Sequence, residues 1–246
     1  MSQIALITGA GRTTGLGLEV CRQLAAKGFS VIVTARNGDD AQRNTDLLLQ
    51  KHPESTLYPL KLDVTEANDI DQAASWVKER LGRLDVLVNN AAVFGTSTEE
   101  VASADLAQSQ QILEVNFYGA WRMCQAFLPL LRQSPSGRIV NVTSGSGSFG
   151  DMKYGLNSGV RINTSYSISK TALNALTVRL AKEERRRGFG VLINAVCPGW
   201  VATRPGDAER GARPVEEGAA GIVWAATLPK DGPTGQLFRD GNPLPW

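Results

Sequence analysis

Residues 4–17 read Ile4-Ala5-Leu6-Ile7-Thr8-Gly9-Ala10-Gly11-Arg12-Thr13-Thr14-Gly15-Leu16-Gly17, and a patterned stretch follows to Gly28. Four consecutive apolar residues read as a strand covered on both faces, the habit of parallel sheets. Leu16, Val20 and Leu24 then recur every four residues, a helical stripe that Lys27-Gly28 closes. The junction between strand and helix is rich in glycine. Such a loop lets backbone N–H groups approach phosphates at the positive end of the helix. The dinucleotide fingerprint G-x-G-x-x-G is not met, because Thr14 stands where its last glycine belongs, and the P-loop lysine is absent. The loop therefore points to a nucleotide without fixing which one.

Working outward, the same alternation continues to the end of the chain. Apolar β-rich runs lie at Ile4–Thr8, Ser30–Ala35, Thr56–Leu62, Val86–Asn89, Arg138–Thr143, Val191–Cys197 and Gly235–Phe238. Helical patterns separate them, at 39–51, 66–81, 105–132 and 166–187, and Pro214 opens a last one as a first-turn proline does. In the 105–132 pattern Pro129 is expected to kink the end. Strand–helix alternation of this kind predicts an α/β fold: a doubly wound, mostly parallel, seven-stranded sheet with right-handed crossovers. No linker, repeat or composition shift divides residues 1–246, so a single domain is expected. The Gly/Ser-rich stretch 144–150 follows a strand directly, at the carboxyl edge where open α/β sheets bind ligands.

Composition narrows the chemistry. The chain has 26 basic and 24 acidic residues and a formal charge of +2, with no sign of a nucleic-acid or membrane surface. No run approaches the length of a transmembrane helix, and the amino terminus lacks the basic start and long apolar core of a signal peptide. Three cysteines, Cys21, Cys124 and Cys197, stand far apart, which fits a reducing cytoplasmic setting; no CxxC pair suggests a metal, and none is expected. A single histidine, His52, argues against zinc hydrolases and Ser-His-Asp hydrolases, which rely on histidine as ligand or base.

Two places carry more specific chemistry. The second strand ends Ala35-Arg36-Asn37, without the acid that holds ribose hydroxyls in NAD-specific folds. Arg36 and Arg12 instead suit a 2′-phosphate, since guanidinium binds phosphate well, so NADP(H) is the expected cofactor. Farther on, Tyr166 and Lys170 stand at i and i+4 on one helix face, where an ammonium beside a phenol favours the phenolate and lowers its pKa.

Together these motifs resemble the short-chain dehydrogenase/reductase family over essentially the whole chain. The likeness rests on the glycine loop, Leu62-Asp63-Val64, Asn89-Asn90-Ala91-Ala92, Asn116 in VNFYG, Ser144 in IVNVTS, Tyr166/Lys170 and Pro198-Gly199-Trp200-Val201-Ala202-Thr203. The closing stretch from Val215 to Gly241 is similar to the carbonyl-reductase-like branch. The resemblance implies a Rossmann-like fold and a reversible NADPH-dependent reductase of aldehydes or ketones. It implies that Tyr166 is the general acid, that Lys170 lowers the tyrosine pKa and holds the nicotinamide ribose, and that Ser144, rather than Thr143, binds the carbonyl. Asn116 would disturb its helix and hold a water that links Lys170 to solvent. Gly9, Gly11, Arg12, Thr13, Thr14, Gly15, Leu16, Gly17 and Arg36 would meet the phosphates. Asp63 and Val64 would meet the adenine, and Asn89 and Ala91 would pack beside the cofactor. Pro198, Gly199, Val201 and Thr203 would bind the carboxamide and pyrophosphate side.

The chain departs from the family pattern in three ways. Five residues, not three, separate Gly9 from Gly15; Ala92 replaces a glycine; and Ser144 and Tyr166 lie 22 residues apart, farther than in compact members. The extra loop, at about 145–165, is expected to cover the substrate site, with an inert surface excursion as the alternative. Phe94, Phe149 and Trp200 are either pocket walls for apolar carbonyl substrates or loop anchors. Two other functions stay open: a carrier-protein-linked ketoreductase, for which Arg204, Arg210 and Arg213 would form a docking patch, and a non-catalytic NADP-binding regulator. The resemblance also implies a homodimer or homotetramer through the helices at 105–132 and 166–187, with a monomer as the other possibility.

Overall fold

The computed structural model of the chain describes residues 2–95, 99–159 and 163–246. Eight strands form one sheet in the order β3-β2-β1-β4-β5-β6-β7-β8. They are β1 Ile4–Ile7, β2 Ser30–Ala35, β3 Leu57–Lys61, β4 Val86–Asn89, β5 Arg138–Val142, β6 Leu192–Val196, β7 Leu237–Arg239 and β8 Asn242–Pro243. β1 to β7 pair in parallel, and only β8 runs antiparallel, against β7. The α/β class and doubly wound order are as expected. The eighth strand is an addition to the seven expected. It arises because Asp240 and Gly241 both take positive φ, 52° and 74°, and turn β7 back on itself as an Asp-Gly hairpin does.

Helices cover both faces because strand side chains alternate. Ala5 and Ile7 of β1 join Val20, Leu24, Ile222 and Val223 from α1 (Leu16–Ala26) and α7 (Val215–Ala226) in one core. Leu6 joins Val77, Met123, Phe127 and Ala181 from α3 (Ala67–Leu81), α5 (Ala120–Leu131) and α6 (Thr164–Arg186) in the other. α2 (Gly38–Lys51) packs beside β2 and β3.

The long pattern at 105–132 is not one uniform helix. α4 (Leu106–Leu113) passes into a π-helical segment, Glu114–Gly119, before α5 begins, and Pro129 lies within α5. The disturbance lies at Asn116, as the family likeness implied.

The sheet order reverses between β1 and β4, so the loops after β1, β4 and β5 open together at the carboxyl edge. That edge is where doubly wound sheets bind ligands. Among the described residues no helix is long and apolar enough to cross a membrane, and no cluster of His, Cys, Asp and Glu could hold a metal.

Candidate active site

The glycine loop is fastened from two sides. Thr8 Oγ1 accepts from the backbone N–H groups of Asn90 and Ala91, both at 2.9 Å. The Asn90 side chain donates to the Thr8 carbonyl at 2.8 Å, and the Asn44 side chain, buried on α2, donates to the Ala10 carbonyl at 2.7 Å. The two additional residues are absorbed in a turn: Gly15 N donates to the Arg12 carbonyl at 3.0 Å, and Thr13 and Thr14 stand exposed in its middle. Gly9 and Gly17 therefore still meet. A Cβ on Gly17 would overlap the Gly9 carbonyl and the Asn90 amide, and Gly9, at φ 72°, lies against Ala91.

This geometry suits a dinucleotide phosphate. Gly15 caps α1 without any side-chain hydrogen bond, which leaves the first-turn N–H groups of Leu16 and Gly17 for a ligand. Arg12 and Arg36 are exposed, and among the described residues neither pairs with a carboxylate. Gly11, Asp63, Val64, Pro198, Gly199 (φ 76°), Val201 and Thr203 lie on loops just beyond β1, β3 and β6. Asp63 is partly engaged by Thr65, through backbone N at 2.9 Å and Oγ1 at 2.8 Å. Asn89 differs from its expected place. Its side chain turns inward to Asn141 on β5, at 2.8 Å, while the adjacent Asn90 faces the loop.

The candidate catalytic groups converge at the ends of β5 and α6. Asn163 caps α6, its Oδ1 accepting from Tyr166 N at 2.8 Å, and Glu99 accepts from Ser165 N at 2.7 Å. The Tyr166 phenol lies beside the Ser144 side chain, close enough for that hydroxyl to favour the phenolate. Ser144 Oγ in turn accepts from Ser146 Oγ at 3.0 Å and Ser146 N at 3.2 Å. These bonds occupy the acceptor side of Ser144, which directs its own proton toward Tyr166 and whatever binds there. Thr143 is turned away, donating to Asn174 Oδ1 at 2.7 Å. Ser146 is missing from the sequence-derived site; its signal was the repeated serine in Ser144-Gly145-Ser146-Gly147.

Lys170 is fully buried beneath this pair. Its Nζ donates to the Val142 carbonyl at 2.9 Å and lies 5.5 Å from the Tyr166 ring centroid. Burial pushes its pKa down to about 8, against an opposing effect of Cys197. Burial pushes the Tyr166 phenol up, and Cys197 adds to that, with Ser144 the opposing hydrogen bond. The expected lowering of the phenol by Lys170 is thus not what these groups produce alone: burial dominates, and the ammonium is turned to the Val142 carbonyl. Asn116 Oδ1 accepts from Val93 N at 2.8 Å, and its Nδ2 donates to Val93 O at 2.9 Å and Ser169 Oγ at 3.0 Å. Its side chain thereby ties the post-β4 loop to α6.

Phe94 stacks on Tyr166, with ring centroids 4.6 Å apart, and the Arg204 guanidinium lies 5.1 Å from the Phe94 centroid. Phe149, Met152 and Trp200 are exposed. Of the expected covering loop, residues 160–162 lie outside the described residues.

The fold and this Ser–Tyr–Lys arrangement define an oxidoreductase class, and sequence comparison agrees. The family model described as short chain dehydrogenase matches residues 3–213, and the chain belongs to that family. It is 32% identical to (+)-neomenthol dehydrogenase of Arabidopsis thaliana, over 95% of this chain and 95% of that protein. It is 31% identical to carbonyl reductase (NADPH) 3 of Mus musculus, over 100% of this chain and 99% of the relative. The structure of NADPH-bound carbonyl reductase from chicken fatty liver superposes with a TM-score of 0.81 at 27% identity, covering 100% of this chain and 99% of the other.

Proposed function

We propose that this enzyme reduces apolar aldehydes or ketones with NADPH and catalyses the reverse alcohol oxidation. The observation that carries the reading is the convergence of Ser144 and Tyr166 at the carboxyl edge of the sheet, with Lys170 buried one helical turn on. When bound, NADPH supplies the hydride. The N–H groups of Leu16 and Gly17 would hold its pyrophosphate, Arg12 and Arg36 its 2′-phosphate, and Asp63 and Val64 its adenine. Ala91, Pro198, Gly199, Val201 and Thr203 would line its nicotinamide side.

The chain supplies orientation and a proton. Ser144, held by Ser146, donates a hydrogen bond to the substrate carbonyl oxygen. Tyr166 donates its proton to the same oxygen as negative charge develops there. Its raised pKa keeps that proton in place at neutral pH, which suits reduction; oxidation needs the phenolate and gains as pH rises. Lys170 uses one of its three donors on Val142, which leaves two for the cofactor ribose. Phe94, more than half exposed above Tyr166, offers an apolar wall to the substrate.

A carrier-linked substrate has less support. Arg210 pairs with Asp207 at 2.6 Å and Arg213 with Asp240 at 2.7 Å, leaving only Arg204 of the three without a carboxylate partner among the described residues. Association of two copies is supported by exposed Leu106 and half-exposed Tyr118, Trp121 and Ile168 on the α4–α5 and α6 surface.

The test is a fluorescence titration with NADPH and NADH, followed by turnover with aldehydes, ketones and diketones. NADPH binding with turnover is the expected result. Binding without turnover of any carbonyl would overturn the reductase reading.

A further inference from the structure

Asp151, Cys197 and Arg239 are 42 to 88 residues apart in sequence and meet behind Ser144. Arg239 Nη2 donates to Asp151 Oδ2 at 2.6 Å and lies 3.3 Å from Cys197 Sγ. The same sulfur accepts from Gly145 N at 3.1 Å. Gly145 directly follows Ser144, and a Cβ on it would overlap both the Asp151 carboxylate and the Arg239 guanidinium. The ion pair therefore lies flat against the peptide that carries the carbonyl-binding serine. Asp151 is buried, and its other oxygen accepts from Lys153 N at 2.9 Å and Tyr154 N at 3.2 Å, which shapes the loop that follows. Burial raises the Asp151 carboxyl, but Arg239 and these N–H groups outweigh it and hold it below its ordinary value, so the pair is ionised at neutral pH.

The end of the chain is laced to the same loop. Ser148 Oγ donates to the Pro245 carbonyl at 2.6 Å, and Gly150 N donates to the Trp246 carbonyl at 2.9 Å. Arg239 ends β7, and Asp240-Gly241 turns the chain into β8 immediately after it. One guanidinium thus joins the end of β7, the end of β6 and the loop after β5. Its Nε is buried without a partner, so Nη2 alone carries both contacts.

We propose that Arg239 is a positioning residue of the reaction: through Asp151 and Cys197 it sets Ser144 and the loop 145–155 against Tyr166. This rests on the reductase reading of the site. A group displaced by about 1 Å lowers catalysis on the order of 10²-fold, so the effect should appear in turnover and not in cofactor affinity.

Arg239→Met is compared with wild type for NADPH affinity, thermal stability, kcat and KM, and again in a Ser144→Ala background. Expected are unchanged NADPH affinity and a kcat/KM loss of about 10–100-fold. The loss should nearly vanish in Ser144→Ala, because two changes acting through one group are not additive. Asp151→Asn keeps the volume and should reproduce the loss; it decides the matter if Arg239→Met does not fold. Wild-type kcat/KM in both variants would overturn the proposal, and so would the same fold-loss with and without Ser144, which is a merely structural effect. A wild-type enzyme that turns over no carbonyl would instead sink the reductase reading itself.

Discussion

Lys170 Nζ donates to the carbonyl of Val142 at 2.9 Å, the last residue of β5, while the Tyr166 ring lies 5.5 Å away. The lysine is thus anchored to the sheet two residues before Ser144. Strand and helix hold the proposed proton donor Tyr166, the Ser144 hydroxyl and the buried Lys170 together. The consequence for stability against pH has a definite sign. Lys170 titrates near 8 in the folded protein and at 10.5 by itself. Between those values the unfolded chain holds a proton that the folded protein has released, so stability rises with pH across that window. Tyr166 has the opposite effect: its raised phenol keeps a proton above pH 10 that the unfolded chain loses, so stability falls with pH there. Urea unfolding of Lys170→Met should lack the rise between pH 8 and 10, and Tyr166→Phe should lack the fall above 10. Slopes parallel to wild type would refute the assignment.

The proposed 2′-phosphate contacts are Arg12 and Arg36, exposed cations without a carboxylate among the described residues. A hydrogen bond to a charged group contributes about 1.5–3 kcal/mol, which corresponds to roughly 10–100-fold in affinity. Arg36→Ala and Arg12→Ala should each weaken NADPH by that order and leave NADH unchanged. Equal weakening of both nucleotides would show that the arginines do not read the 2′-phosphate.

Gly17 carries the contact that survives the two-residue insertion. An added methyl would overlap the Gly9 carbonyl and the Asn90 amide, so Gly17→Ala must displace the loop. Overpacking of this kind costs about 1–3 kcal/mol. Calorimetry should show a lowered Tm, and titration a weaker NADPH site. Full NADPH affinity in this variant would mean that the loop adapts elsewhere.

Much of this was legible in the sequence, for local reasons. Val31, Ile32 and Val33 lie in a continuous apolar run because β2 is covered on both faces, and the period of Leu16, Val20 and Leu24 shows directly which face of α1 is buried. The Asp240-Gly241 turn was also written locally, although β8 has only two residues and offers no apolar run. Asn89, expected beside the cofactor, instead faces Asn141, and Asn90 takes the glycine loop, because neighbours at a strand end face opposite ways. Other features were not legible. Nothing in Glu114–Gly119 specifies a π turn without the Asn116 contacts to Val93 and Ser169. The pairing of Arg239 with Asp151 depends on three loops meeting, and either residue alone reads as an ordinary surface charge.

The sharpest test of the mechanism is Tyr166→Phe. The substitution removes one hydroxyl and keeps the ring that stacks on Phe94, so the fold and the apolar wall should persist. Ser144 remains to hydrogen-bond the substrate oxygen, but no proton donor stands beside it. Positioned proton transfer is worth roughly 10²–10⁴-fold, and kcat should fall by that order. NADPH affinity should be retained, because the loops after β1 and β2 are untouched. Ser144→Ala offers the contrast: the proton donor stays and the carbonyl loses its oriented partner, so both kcat and KM should worsen. If Tyr166→Phe turned over at the wild-type rate, the proton would have to come from another group, and the assignment of the general acid would fail.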